Sequence, residues 1–202
     1  MGRPRGGQAD KRRAILAGAL TVFARDGYTR ASVDAISAEA GVSTRTVYNH
    51  FQDKAHLFRA VIQESAERTA EAQLALVDRH LGKIVALEQD LIDFGVDLAR
   101  PIAGTAEHFA LVRQVNAEAA HIPPEAVEAW QEAGPLRVRR ELGKRLAAIP
   151  GLRADAPERA ALHLMALVSP WNPSFLAGAL TDAEITDAVT AGVRAFLYGY
   201  AE

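Results

Sequence analysis

The sequence predicts an all-α protein, and three observations carry that prediction. Apolar residues recur at spacings of three and four through most of the chain, as in amphipathic helices, while the alternation of a half-buried strand is hardly present. Helix punctuation is dense: Ser32, Ser43 and Asp53 stand where caps belong, Gly41 stands where a helix must stop, and Pro101, Pro124 and Pro135 mark further boundaries. Finally, the stretch from Ser32 to Phe58 reads as two short helices around a tight turn, followed by the start of a third.

Composition narrows the class before any motif is weighed. With 202 residues, 49% of them hydrophobic, the chain can build one large domain or a small and a medium one. No apolar run reaches the roughly 18 residues that a membrane span needs, and the basic N-terminus lacks an apolar signal core, so a cytoplasmic protein is expected. The absence of Cys removes disulfides and thiol sensing from consideration. Charge is unevenly placed: residues 1–59 hold ten Lys/Arg against five Asp/Glu, whereas the remainder holds thirteen against twenty. The basic end is where a polyanion would bind.

Residues 1–9 form a basic arm, expected to be disordered because Gly, Pro and charge leave nothing to pack. Its Arg3 and Arg5 suit the negative potential of a narrow minor groove. A first helix is expected from about Asp10 to Asp26, with Ile15, Leu16, Ala19, Leu20 and Phe23 as its apolar stripe; its basic start, Lys11 to Arg13, could meet phosphates or simply face water. Ser32 caps a second helix carrying Val33, Ile36 and Ala40 on one face, and Gly41 supplies the left-handed residue that ends it. Val42 plugs the turn. Ser43 then caps a short helix, Thr44 to Asn49, in which Val47, with Tyr48 as a second candidate, can face inward and hydroxyls, an amide and a guanidinium face outward. Arg45 can bond a guanine edge in a bidentate way, Asn49 can do so for adenine, and the methyls of Thr44 and Thr46 can touch thymine. Ser43, Tyr48, His50 and Lys54 are expected to hold the phosphate backbone, Lys54 at the start of the helix capped by Asp53. Residues 10–58 are therefore expected to be a helix-turn-helix DNA-binding domain, and residues 59–202 a second domain.

The pattern resembles the DNA-binding region of the tetracycline-repressor (TetR) family of bacterial transcriptional regulators. The matching residues are Gly27-Tyr28, Ser32-Val33, Ala40 to Ser43, Tyr48, Phe51 and Lys54, within the expected domain of residues 10–58, about a quarter of the chain. Thr44 and Arg45 depart, standing where many members carry a basic residue and a glycine, so the resemblance carries the fold and leaves the operator sequence open. It implies an N-terminal three-helix domain joined to a C-terminal helical bundle for effector binding and dimerisation. It also implies a repressor released from a palindromic operator by a small apolar or amphipathic effector.

Beyond Asp53 the helical period continues through Leu57, Phe58, Val61, Ile62 and Leu76 to about Asp78, nearly 40 Å at about 1.5 Å per residue, which would join the two domains mechanically. Helices are expected from about Lys83 to Arg100 and from about Ala106 to Ala120. Another should run from Pro124 to about Ala148, kinked or split at Gly134-Pro135. Asp155 with Glu158, and Thr181 with Glu184, have capping-box spacing before the last two helices. Those helices present Leu164, Leu167 and Val168, then Ile185, Val189, Gly192, Val193 and Phe196. In the family resembled, the last two long helices pair with their symmetry mates, so these residues are the expected dimer interface; packing within one subunit is the other use of the same stripes.

A small-molecule pocket is expected among Phe94, Phe109, Trp130, Trp171 and Phe175, with Asn116 and His163 as polar handles beside Gln114 and Asn172. That expectation rests mainly on the resemblance, since each residue alone also suits a core. The histidines lack metal-ligand spacing, and no phosphate loop or nucleophile elbow appears, so no cofactor, metal or enzymatic activity is expected. Two other classes stay open: a helical ligand- or partner-binding protein without specific DNA binding, and an enzyme. Absence of sequence preference would favour the first; turnover by the purified chain would be required for the second.

Overall fold

A computed structural model describes residues 6–100, 104–169 and 180–200. Among them the fold is all-α, with no β-strand. The helices are α1 (Gly6–Arg30), α2 (Val33–Glu39), α3 (Thr44–His50), α4 (Lys54–Leu81), α5 (Leu87–Ala99), α6 (Ala106–Ala117), α7 (Pro124–Ala133), α8 (Pro135–Ala147), α9 (Pro157–Val168) and α10 (Asp182–Tyr200), with a 3-10 turn at Ala119–His121. The helix expected from Pro124 to Ala148 is split at Gly134, where ψ is -95° and Pro135 cannot supply the next amide.

The first helix departs from expectation at both ends. It begins at Gly6, so residues 6–9 are helix and not a disordered arm. Adding residues to an existing helix needs no new nucleation, and Gln8 and Ala9 are good helix formers. Arg3 and Arg5 lie outside the described residues. At the other end α1 passes Asp26, kinks at Gly27 (φ 81°, ψ 173°) and continues to Arg30.

The chain divides into two compact units, Met1–Thr69 with Gly104–Pro135, and Ala70–Ala103 with Leu136–Glu202. The expected division between residues 58 and 59 is thereby corrected, because α6 and α7 belong with α1 to α3. The reason is the apolar face of α6: Leu111 and Val115, with Ile122 and Ala126 after them, share one core with Ile15, Leu16, Phe23, Val47 and Phe58. Amphipathicity shows that α6 must be covered, and does not say by what.

In the second unit, Leu76, Leu91 and Phe94 pack with Leu142 and Leu146 of α8 and with the inner faces of α9 and α10. Leu164, Val168, Ile185, Val189, Gly192, Val193 and Phe196 are all buried within this one chain. The expected dimer interface is corrected accordingly: of that set only Leu167 is exposed, at 41%. Gly192 lets α10 approach α9 closely, since a Cβ there would lie 2.8 Å from the Leu167 carbonyl carbon. The Thr181 capping box forms as expected, its amide and hydroxyl both bonding Glu184. That of Asp155 does not, because Ala156 occupies the cap position and Glu158 instead accepts from Arg139.

Candidate nucleic-acid interface

The helix-turn-helix is built from local bonds that the sequence specifies. Ser32 accepts from the Ala35 amide to start α2, and Gly41, at φ 63°, turns the chain out of it. Ser43 then accepts from the Thr46 amide to start α3. Val47 is 1% exposed and pins α3 to the core, which fixes the helix rotation and so decides which side chains face water. Close approach of α1 and α2 at Gly18, where a Cβ would meet the Ala40 nitrogen at 2.8 Å, sets the first helix against the motif.

Arg45, Tyr48 and Asn49 occupy one exposed face at positions i, i+3 and i+4. Among the described residues none of the three has a side-chain hydrogen bond or ion pair, so their polar groups are available to a ligand. Tyr48, 53% exposed, is the large apolar ring of that face. The hydroxyls expected beside them are otherwise engaged. Thr44 donates to Asp34 on α2 at 3.0 Å, and Ser43 and Thr46 bond each other at 2.8 Å. Those two contacts set the geometry between and within the helices. His50 is half-buried, its ring 6.5 Å from that of Phe51.

Lys54, expected at the phosphate backbone, is engaged within the protein. Its ammonium donates to the carbonyls of Tyr28, Thr29 and Ala31 at 3.0, 3.3 and 3.2 Å and lies 4.7 Å from the centre of the Tyr28 ring. All three N–H bonds are thus directed at the carbonyls around the end of α1, where unpaired acceptors and the helix dipole favour a cation. Tyr28 is wedged between that lysine and Phe58, 4.8 Å away; burial, with Asp53 and Glu125 beyond, pushes its phenol above the usual value.

Glu118 holds the same corner from the other side. Its carboxylate accepts from the amide and the hydroxyl of Thr29, each at 2.8 Å. Burial opposes its charge, but these bonds, with Arg30 and the Tyr28 amide, outweigh burial and hold the carboxyl below its ordinary range. Gly27 leaves the space the carboxylate fills. Farther along, Thr21 donates to Glu107 at 3.1 Å, so α6 meets α1 near both of its ends. No spacing rule announces a pair 89 residues apart. Arg12 lies 5.6 Å from the centre of the Phe51 ring and is drawn toward Glu64 at 4.0 Å, while Arg13 pairs with Asp10. Two of the three cations at the start of α1 therefore have partners within the unit.

The described residues of the expected aromatic pocket are distributed over both units. Phe94 is 1% exposed in the core of the second unit, whereas Phe109, Asn116 and Trp130 belong to the first. Phe109 is 43% exposed, Asn116 faces water, and His163 bonds the Tyr200 hydroxyl at 2.7 Å. Trp171 and Phe175, with Asn172, lie outside the described residues.

Comparison with known proteins adds an independent line. Residues 15–61 match the family described as bacterial regulatory proteins, tetR family, and residues 89–202 match the C-terminal domain of AefR-like transcriptional repressors. An HTH-type transcriptional repressor of Mycobacterium tuberculosis is 42% identical over 62 residues, 31% of this chain and 33% of that protein. The HTH-type transcriptional repressor AcnR of Corynebacterium diphtheriae is 41% identical over 61 residues, 30% of this chain and 32% of that one. The chain thus spans about a third of the length of the curated relatives it matches. The crystal structure of a TetR-family regulator from Mesorhizobium loti superposes with a TM-score of 0.83 at 26% identity, covering 99% of this chain and all of the other.

Proposed function

Given that the chain belongs to the TetR family of bacterial regulatory proteins, we propose that it is a sequence-specific DNA-binding repressor. The observation that carries this is the exposed face of Arg45, Tyr48 and Asn49, a guanidinium, a phenol and an amide without internal partners, on a helix whose rotation is fixed by Val47. Arg45 reads a guanine edge and Asn49 an adenine edge in the major groove; Tyr48 and the amides at the start of α3 hold the backbone. Arg3 and Arg5 take the adjacent minor groove.

The protein acts as a homodimer on a palindrome, because two-fold protein symmetry is mirrored in the half-sites. The second copy is met by the outer faces of α9 and α10, with Leu162, Ala166 and Leu167 on one helix and Ala191, Ala195 and Tyr198 on the other. Three large apolar side chains exposed there, at 51%, 41% and 95% for Leu162, Leu167 and Tyr198, support that use. An apolar or amphipathic effector bound in the second unit releases the DNA by favouring a state in which the recognition helices lose their spacing, to the extent of its differential affinity for the two states.

The test is selection of bound sequences from a random double-stranded pool by the purified protein at near-physiological salt. An enriched palindrome supports the reading; a folded protein that binds without sequence preference refutes it.

A further inference from the structure

Along the second half of α4 runs a groove of 560 Å³ shared with α8, within the range of about 300–1,000 Å³ that small-molecule sites occupy. Its apolar lining comes from Leu74, Val77 and Ala148. Its polar lining is Asp78 on α4 and Arg137, Glu141, Lys144 and Arg145 on α8. All of these residues lie in the second unit.

The charges are not equivalent. Asp78 is paired with Arg145, and Glu141 accepts from Lys144 at 2.7 Å. Arg137 has no direct ion pair among the described residues and acts on Glu141 only at longer range. It is half-buried, as is Leu74. A cationic ligand would find both carboxylates of the groove already neutralised. An anionic head would find a planar guanidinium with its donors free, partly stripped of water and beside an apolar lining.

From this arrangement we infer that the α4–α8 groove is the effector site, and that the effector is a monoanionic amphiphile whose carboxylate is anchored by Arg137 while its chain lies on Leu74, Val77 and Ala148. Among the described residues, Phe94, Phe109 and Trp130 of the expected pocket do not line it. The inference rests on the effector-released repressor reading. It places the ligand on the same continuous helix that begins with Lys54, the clamp at the end of α1.

The test is calorimetric titration of the full chain with decanoate, below its aggregation concentration, alongside decanol and decyltrimethylammonium as neutral and cationic comparators. Decanoate binds the wild-type protein; Arg137→Gln weakens it roughly tenfold or more, and Arg137→Lys, which keeps the charge and loses the fork, falls between. Leu74→Asp, which sets a carboxylate in the apolar lining, abolishes binding. Each variant is checked for an unchanged helical spectrum and melting temperature. No decanoate binding, equal binding by Arg137→Gln, or equal binding of the comparators overturns the inference. Palindrome selection by the ligand-free wild type is scored separately: an enriched palindrome without decanoate binding sinks the groove alone, while decanoate binding without sequence preference sinks the repressor reading.

Discussion

Replacing Glu118 tests whether α6 holds the end of α1. The carboxylate makes two charge-assisted bonds to Thr29, each 2.8 Å long, from a partly exposed position. Bonds of this kind contribute about 1.5–3 kcal/mol when fully buried; solvent access to Thr29 lowers that, so about 2 kcal/mol in total is expected to be lost in Glu118→Ala. Glu118→Gln keeps an acceptor without the charge and is expected to lose about half as much. The same pair predicts a pH dependence. Because the folded carboxyl is held below its ordinary value, its contribution is complete above the unfolded value of about 4.3 and is lost as pH falls through the lower folded value. Urea unfolding followed by circular dichroism at pH 7 and between pH 5 and 3 measures both effects. An unchanged midpoint at pH 7 for Glu118→Ala, with the acid sensitivity of the wild type intact, would refute the argument.

Three further outcomes follow from the same geometry. Arg45→Ala should cost about 1–3 kcal/mol in operator binding and relax preference at one base pair, seen as a flattened column in a repeat of the sequence selection; unchanged affinity and preference would remove Arg45 from the reader. Lys54→Ala should leave the slope of log affinity against log salt unchanged and lower stability by about 1–2 kcal/mol, since the ammonium spends its donors on the carbonyls of Tyr28, Thr29 and Ala31. A slope reduced by roughly one unit, with stability intact, would return Lys54 to the phosphate backbone. His108, bonded to Ser65 at 2.9 Å, has its imidazole lowered to about 4 by burial, with Arg68 adding to the effect. The unfolded chain therefore binds the extra proton between about pH 6.5 and that value, so stability should fall as pH drops through the window, by at most about 1.4 kcal/mol per unit. His108→Gln should flatten that part of the profile, and an unaltered profile would show that His108 is not its source.

Much of the chain was legible in one dimension. Ser32, Gly41, Ser43 and Asp53 placed the boundaries of α2, α3 and α4 because caps and left-handed turns are decided by a residue and its neighbours within three or four positions. Gly134-Pro135 split a helix for the same local reason. The all-α class followed from periodicity. The outward placing of Arg45 and Asn49 followed once Val47 was taken as the inward residue of a short helix, whereas Tyr48, a second candidate for the core, is 53% exposed.

What the sequence left undecided were choices between partners. A stripe such as Ile185, Val189, Val193 and Phe196 states that a face must be covered, and burial by α5 and α9 of the same chain satisfies that demand as fully as a second subunit would. A lysine at a helix start can meet phosphate or the carbonyls of a helix end, and only the fold brings Tyr28 and Ala31 beside Lys54. Glu118 and Thr29, and the two sides of the α4–α8 groove, are far apart along the chain, so only tertiary packing could bring them together. The sequence by itself determined the boundaries and caps of the helix-turn-helix and the inward side of α3, because those depend on near neighbours; the packing of helices against one another decided the unit boundaries, the clamp and the groove, because those depend on residues that no local period connects.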